Sequence, residues 1–230
     1  MSFRFSAGRA ALAAWLAAAA LSLCAAAAAP EEMEPLKLKL PRPVFEGTPK
    51  DTPAGTTVEK PSNQPRAPIM VPKGVRNVAL NKKVTSSKPP FSGELSLVTD
   101  GDKEATYAAC LELRPRLQWI QIDLGEPHKI WAIAVWHFHM TPIVVHDVIV
   151  QVSNDPDFTK DVTTLFNNDQ DNSAGLGIGK DREYFETYEG KLIEGKGVTA
   201  RYVRLYSDGS TYTDKLNRYT EVEVYGTPAK

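Results

Sequence analysis

The feature that most constrains this chain is a strand pattern at its centre, residues 119–125 (WIQIDLG). Apolar side chains occupy every second position of the run, which is the period of a strand with one face in a core. Gly125 and Pro127 interrupt the pattern, and a second, more apolar run (KIWAIAVWHF) occupies residues 129–138. Two strands around a Gly-x-Pro break, in a region without a helical period, predict an antiparallel β-sandwich.

Other short apolar runs, each followed by turn residues, extend this pattern along the chain. About nine strands and no helix are predicted, so the fold class is all-β. Besides the two central strands, the predicted strands are residues 78–80, 84–86, 95–98, 146–153, 162–166, 200–206 and 220–225.

The N-terminal residues 1–29 have the layout of a secretory signal peptide. Arg4 and Arg9 precede an Ala-rich apolar run without acidic residues, and small residues close it. Two alternatives are an uncleaved membrane anchor and a lipoprotein acylated at Cys24. With the signal removed, the mature domain is predicted not to insert into a membrane, and the protein is predicted to be exported to the periplasm, the cell surface or the medium.

Residues 30–75 contain ten of the seventeen prolines and almost no aromatic side chains. Such a composition buries little apolar surface and favours extended conformations. The sequence therefore predicts a disordered Pro-rich linker over residues 30–74 and a folded domain over residues 75–227.

Charge and cysteine content narrow the function further. Without Arg4 and Arg9, the 27 basic residues become 25 against 28 acidic ones, so nothing predicts a nucleic-acid partner. Loss of Cys24 with the signal leaves Cys110 alone, so no intramolecular disulfide is possible. The domain must be held by its core, or by its core and a metal ion.

Six motifs in order resemble those of the discoidin, or coagulation factor 5/8 type C, family. The resemblance covers residues 77–226. Each motif is weak by itself, and their order makes the resemblance specific. The motifs are NVALNKKVTSS at 77–87, VTDGD at 98–102, WIQIDLG at 119–125, VQVSN at 150–154, RYVRL at 201–205 and EVEVYG at 221–226.

The resemblance implies a galactose-binding-like jelly-roll sandwich whose loops at one end form the recognition surface. The absence of a disulfide places the chain nearer the bacterial carbohydrate-binding branch. Sugars are recognised by an aromatic face and by planar amides or charges. On predicted loops, the ligand-binding candidates are Tyr107, Tyr212 and Asn217, and His139 and His146 are candidates near them.

The same resemblance implies a structural Ca²⁺ where the DGD loop meets the last strand. Side-chain oxygens would come from Asp100, Asp102 and Glu221, and backbone carbonyls from the two positions Leu97 and Thr220. Hard oxygens of this kind are what Ca²⁺ prefers. The family commonly has a Thr where this chain has Ala105, and the alternative is that the DGD loop is a simple tight turn.

Two further patterns contain possible metal ligands. His137, His139 and His146 are spaced so that a loop connection could bring three imidazoles together, which would suit a transition metal. Asp169, Asp171 and Ser173 alternate oxygen side chains as a calcium loop does. In that stretch the glycine and the twelfth residue depart from the EF-hand pattern, so a polar loop is predicted.

The sequence thus predicts an exported, non-catalytic module that binds carbohydrate or a cell-surface glycan. No G-x-S-x-G, H-E-x-x-H or P-loop motif is present, so no enzyme is predicted. Two alternatives remain, a protein–protein adhesion or assembly module and a periplasmic transition-metal-binding protein.

Overall fold

The computed structural model describes residues 1–2, 31–45, 57–60, 64 and 66–229. The chain divides into two units, Met1–Glu31 and Glu32–Lys230, and every described strand lies in the second. The signal-peptide prediction falls almost wholly outside the described residues. Within those residues, no helix has the length and apolar character needed to cross a bilayer.

The described chain contains ten β-strands, two 3-10 helices and no α-helix, which confirms the all-β prediction. All pairings between strands are antiparallel. The 3-10 helices are Leu95–Thr99 and Tyr107–Ala109. The strands are β1 Met33–Pro35, β2 Met70–Pro72, β3 Arg76–Asn77, β4 Lys83–Ser86, β5 Leu111–Leu113, β6 Gln118–His137, β7 Ile149–Ser153, β8 Thr163–Asn167, β9 Lys191–Ser207 and β10 Asn217–Pro228.

The two long strands β6 and β9 form the axis of the sandwich. Strands are hydrogen-bonded in the order β3–β10–β6–β9–β7–β8, with β4 beside β6 and β5 beside β10. The stretch of β6 between Asp123 and His128 contains more residues than the stretch of β9 that faces it, which lies between Ala200 and Tyr202. Extra residues bend a strand. Before this irregularity β6 pairs with β4, and after it with β10, so β6 contributes to both layers.

Alternate side chains of both halves of β6 point into one core. Ile120 and Ile122 from the first half and Ile133 and Val135 from the second are all completely buried in the same apolar cluster. Burying an aliphatic side chain of this size contributes about 1.5–3 kcal/mol. The two-residue period in the sequence therefore predicted the inward face correctly.

Both ends of β6 lie at the same end of the sandwich. Gln118, at its start, pairs with Ser207, and His137, at its end, pairs with Tyr219. The hydroxyls of Ser207 and Tyr219 lie 2.9 Å apart, which joins the two ends. Four connecting segments gather here, and this region is called the loop end: residues 114–117, 138–148, 168–190 and 208–216.

Several predicted strands differ from the structure. Residues 78–80 follow the two-residue strand β3 instead of forming a strand themselves. Residues 95–98 form a 3-10 helix instead of a strand. The two predicted central strands are one strand with an irregularity at Gly125–Pro127, because β9 pairs with both halves. Strand β9 begins at Lys191 rather than at Ala200, since the pairing tolerates an irregularity around Gly195–Gly197 that interrupts the apolar pattern.

The Pro-rich segment also differs from its prediction. Strand β1 pairs with β2, with Glu34 opposite Val71, and the Val71 side chain is 2% exposed. Farther along the segment, the Arg66 guanidinium donates hydrogen bonds to the carbonyl oxygens of Glu189 and Gly190, at 3.0 and 2.7 Å. These contacts attach the segment to the sandwich.

An apolar stripe on the outer face of β6 explains the attachment. Ala132, Ala134 and Trp136 alternate with the core-facing residues and are completely buried. The side chains that pack on this second cluster include Leu36, Leu38, Ile69 and Val75. The described parts of residues 30–74 are therefore packed on the sandwich, unlike the disordered linker predicted for this segment, and the second unit begins at Glu32.

Candidate functional site

An open cleft of about 720 Å³ lies at the loop end. All four connecting segments line it, and Thr57 of the N-terminal segment adds to its wall. Its volume lies within the range of small-molecule sites. Its charged lining consists of four acidic and two basic side chains, Asp147, Asp171, Glu183, Asp208, Arg116 and Lys215.

A short backbone ladder positions two of the acids. The His146 amide donates to the Gly209 carbonyl at 3.0 Å, and the Asp208 amide donates to the His146 carbonyl at 2.9 Å. Asp147 follows directly and has a φ of 52°, a left-handed conformation that Asp tolerates better than most residues. The ladder brings the loops that carry Asp147 and Asp208 together beside the cleft.

Three carboxylates are concentrated beside this ladder. One oxygen each of Asp147, Asp169 and Asp171 lies within 4.8 Å of the other two. Asp169 is completely buried and accepts hydrogen bonds from the amides of Ser173 and Ala174, at 3.1 and 2.9 Å. Burial raises the pKa of the Asp147 carboxyl, and the neighbouring carboxylates of Asp169, Asp208 and Asp171 raise it further.

A hydrogen-bonded chain forms another part of the wall. His146 Nδ1 lies 2.8 Å from Glu183 Oε1, and the Thr57 hydroxyl donates to Glu183 Oε2 at 2.9 Å. The amide of Glu59 also donates to the Glu183 carbonyl. The N-terminal segment thus helps to fix Glu183, and through it the orientation of the His146 ring.

Arg116 is the basic group with the most freedom in the cleft. Its φ is 77°, a strained conformation for a residue with a side chain. Its carbonyl oxygen accepts a hydrogen bond from Asn217 Nδ2 at 2.9 Å, which holds the backbone in place. The Arg116 guanidinium has no hydrogen bond or ion pair with any described residue, so its donors are free for a ligand.

Asn168 also lines the cleft and contributes an unpaired donor that is itself buried. Its side chain is 2% exposed, and its Oδ1 accepts a hydrogen bond from the Val148 amide at 2.7 Å. Its Nδ2 has no partner among the described residues. An unpaired buried amide costs about 1–3 kcal/mol, so a ligand oxygen that accepts from it would gain affinity.

Aromatic side chains from the loop end and from the second 3-10 helix form a separate surface. Tyr107 is 54% exposed, and its hydroxyl lies 3.2 Å from that of Tyr212. Both rings pack on Phe138, with centroids 4.9 and 6.2 Å from it. The Arg218 guanidinium lies 5.0 Å from the Tyr212 ring and is held by carboxylates, so it supports the surface from behind.

The structure separates the five predicted ligand-binding residues. His146 lines the cleft, and Tyr107 and Tyr212 form the aromatic surface. Asn217 is completely buried, and its side chain bonds the backbone of Gly209 and of the segment before β6, so it holds two loops together. His139 is 1% exposed with Nε2 2.9 Å from the Lys103 carbonyl, and burial lowers its pKa. Neither Asn217 nor His139 lies on a ligand-accessible surface.

The three-histidine metal site is not formed. His137 is completely buried with Nδ1 2.6 Å from Glu186 Oε1, whereas His146 pairs with Glu183. Among the described residues, the only grouping of three candidate ligands is the aspartate cluster of the cleft. The transition-metal hypothesis is therefore wrong, because each imidazole is engaged by a different neighbour.

Of the residues expected to hold Ca²⁺, Glu221 in β10 contacts the DGD loop directly. Glu221 is completely buried, its Oε2 accepts from the Gly101 amide at 3.2 Å, and its Oε1 has no partner among the described residues. Burial raises the pKa of Glu221 to about 9, and Asp100 is among the carboxylates that raise it. A buried, unpartnered carboxylate oxygen beside a second carboxylate fits a cation.

The other expected ligands differ from Glu221 in exposure and in local structure. Thr220 occupies an irregularity between Tyr219 and Glu221, and such an extra residue is left out of the ladder pairing. Asp100 and Asp102 are exposed, and both accept backbone hydrogen bonds within the loop. Leu97 lies in the 3-10 helix that precedes this loop.

Sequence reasoning missed the main polar residues of the cleft. Asp147, Asn168 and Asp208 come from three different loops, and no local pattern distinguishes them from ordinary loop residues. Asp169 and Asp171 were noticed as an oxygen-rich stretch. Their proximity to Asp147 depends on how the loop after β8 folds back.

No protein-family model matches the chain, and no curated protein matches it. Among solved structures, it is similar to a fucose-binding module of Streptococcus pneumoniae at 17% identity, covering 65% of this chain and 97% of that one, with a TM-score of 0.46. It is also similar to chitosan-binding module 1 of a chitosanase/glucanase from Paenibacillus sp. IK-5 at 23% identity, covering 66% and 99%, with a TM-score of 0.43.

A family 89 glycoside hydrolase from Clostridium perfringens is similar over a small region. It is 17% identical, with a TM-score of 0.49, and the match covers 66% of this chain but only 15% of the hydrolase. At these identities and TM-scores, the similarities do not assign a ligand or an activity to this chain.

Proposed function

We propose that this chain is an exported, non-catalytic module that binds carbohydrate in the cleft at the loop end. The observation that carries the proposal is the cleft itself. It is about 720 Å³ in volume, and its polar lining includes the free donors of Asn168 and Arg116. Sugars present many hydroxyls that both donate and accept, and such a lining can satisfy them.

The composition of the cleft favours a hydrophilic ligand over a protein surface or a lipid. Its wall combines carboxylates, a guanidinium, an imidazole and an amide, whereas the centres of protein interfaces are depleted in charged residues. The aromatic surface of Tyr107 and Tyr212 offers a flat apolar face for an extension of the same glycan.

The chemistry of Cys110 supports a binding rather than a catalytic role. Its thiol is 1% exposed, and burial raises its pKa to about 12, so it is not a nucleophile at neutral pH. Export is proposed from the signal-like residues 1–29 alone. Sequencing the N-terminus of the protein recovered outside the cytoplasm tests that part.

A glycan-array screen of the purified protein tests the binding proposal. We expect binding that is lost in Asn168→Ala and retained in Asn154→Ala, an exposed asparagine on the loop between β7 and β8 at the other end of the sandwich. Thermal unfolding of both variants checks that they are folded. A folded protein that binds no glycan on the array would contradict the proposal.

We also propose that Asp100, Asp102 and Glu221, with the carbonyls of Leu97 and Thr220, hold a structural Ca²⁺. When bound, the ion would neutralise buried negative charge and join the DGD loop to β10. The support for this is the unpartnered Oε1 of Glu221.

Thermal unfolding with Ca²⁺, with Mg²⁺ and with EDTA tests the calcium site. We expect Ca²⁺ to raise the melting temperature of the parent protein and to leave that of Glu221→Gln unchanged. Mg²⁺ is the control for ionic strength and for nonspecific divalent effects. Equal responses of the parent and the variant would refute the assignment.

A further inference from the structure

We propose that the carbohydrate recognised in the cleft carries a protonated amine, so that the ligand class is an amino sugar. This inference rests on the proposed function of the cleft. It is carried by the cluster of Asp147, Asp169 and Asp171 together with the unpartnered amide of Asn168.

The cleft carries an excess of negative charge that is a local feature of the chain. The whole chain has a formal net charge of −1, yet acidic side chains outnumber basic ones two to one along the cleft. Among the described residues, no lysine or arginine forms an ion pair with the carboxylates Asp147, Asp169, Asp171 or Asp208, although lysines and arginines form eight ion pairs outside the cleft.

The two basic groups of the cleft do not neutralise this cluster. Lys215 Nζ donates to the Ser210 carbonyl at 2.9 Å. Arg116 is exposed and contacts no described carboxylate. A concave surface of one sign concentrates oppositely charged ligands, so the cleft favours a cation.

The cation is part of a larger molecule rather than a bare metal ion. The cleft is far larger than an ion, and the buried donor of Asn168 requires an acceptor that a metal ion does not offer. Both carboxylate oxygens of Asp169 already accept hydrogen bonds from Ser173 and Ala174, which leaves them less available for coordination. An amino sugar supplies both an ammonium group and hydroxyl oxygens.

The arrangement suggests how such a ligand would be held. An ammonium group has three donors, which suits the neighbouring carboxylates of Asp147 and Asp171, because each of them accepts a hydrogen bond from Ser173 through one oxygen only. A ring hydroxyl oxygen would accept from Asn168 Nδ2, and another would accept from Arg116. An N-acetylated sugar lacks the charge and places a bulkier amide against the carboxylates.

Titration calorimetry with three tetrasaccharides of one length tests the inference. The probes are a β-1,4-linked glucosamine tetramer, its fully N-acetylated counterpart and cellotetraose. Because hydrogen bonds to charged groups contribute about 1.5–3 kcal/mol, we expect the glucosamine tetramer to bind at least about ten-fold more tightly than the other two.

Two variants connect this preference to the cleft. Asp147→Asn and Asp171→Asn keep the side-chain shape and remove the charge, and each is expected to reduce the preference several-fold. Asp157→Asn is the matched control, because Asp157 is exposed on the loop between β7 and β8 at the other end of the sandwich. Thermal unfolding confirms that all three variants are folded.

The outcomes separate this inference from the function on which it rests. Equal affinity for all three tetrasaccharides, lost in Asn168→Ala, would overturn the amine preference and keep carbohydrate binding. Binding of Ca²⁺ alone that is abolished by Asp147→Asn, with no preference for glucosamine, would assign the cluster to a metal and also overturn it. A folded protein that binds no glycan of any class would contradict the proposed function itself.

Discussion

Replacing Glu221 by Gln should abolish a loss of stability that the calcium-free parent protein undergoes as the pH rises. Glu221 is completely buried, and burial raises its pKa from 4.5 to about 9. Between these two values the folded protein binds a proton that the unfolded chain releases. The contribution of this group to stability is therefore full below pH 4.5 and is lost as the pH rises toward 9.

The size of the effect follows from the shift. Each pH unit between the unfolded and folded pKa values removes about 1.4 kcal/mol from the free energy of unfolding. Raising the pH from about 5 to about 7 should thus cost the parent about 3 kcal/mol through this one carboxyl. Glutamine is nearly the same shape, does not titrate and can still accept the hydrogen bond from Gly101.

Urea unfolding in EDTA at several pH values measures the difference. Carboxyls whose pKa is lowered, such as Asp123 beside Arg201, have the opposite pH dependence, but they are common to both proteins and cancel in the comparison. Between about pH 5 and about pH 7, we expect the free energy of unfolding of the Glu221→Gln variant to rise by about 3 kcal/mol relative to that of the parent. Parallel stability curves for the two proteins would refute the reasoning, because they would show that Glu221 ionises in the fold without cost.

Three further predictions concern single residues. Cys110 is 1% exposed with a pKa of about 12, so iodoacetamide should label it only after denaturation, and rapid labelling of the native protein would contradict its burial. Asn217→Ala should lower the free energy of unfolding by about 2–4 kcal/mol in urea, because the buried Asn217 side chain makes three hydrogen bonds to backbone atoms, and a change below about 0.5 kcal/mol would be inconsistent with them. Val71→Asp should lower the free energy of unfolding by at least about 2 kcal/mol if the Pro-rich segment packs as described. The same substitution at the exposed Met70 is the matched control and should lower it far less.

Local patterns in the sequence predicted the strands that bury one face. The alternation in residues 119–125 specified which side chains enter the core, since a strand places successive side chains on opposite faces. The predicted break at Gly125–Pro127 coincides with the irregularity in β6 but does not end the strand. What the alternation did not reveal is that both flanking runs pair with β9 as one bent strand.

The Pro-rich segment shows where composition fails. Its prolines and scarce aromatic residues predicted disorder, because composition does not show whether another surface of the protein packs against the segment. The outer face of β6 offers Ala132, Ala134 and Trp136, and a few aliphatic residues of the segment are enough to cover them. Whether a weakly apolar segment becomes ordered depends on such a partner surface.

The candidate site shows a similar division. His146 was predicted for the ligand surface and lines the cleft, whereas His139, seven residues earlier, is buried against Lys103. The sequence positions of the two histidines suit a site at the loop end equally well. The difference comes from which side of each loop is covered by other parts of the chain.

The sequence by itself determined the all-β class, the inward-facing positions of the strands and the meeting of Glu221 with the DGD loop at the start of β10. These follow from local periodicity or from short motifs. Only the tertiary structure decided which loop residues form the cleft, that the aspartates there have no cationic partner among the described residues, and that the described parts of the Pro-rich segment are packed on the sandwich. Those properties depend on contacts between residues far apart in the chain, and their energies are set by burial and by neighbouring charges that no local pattern records.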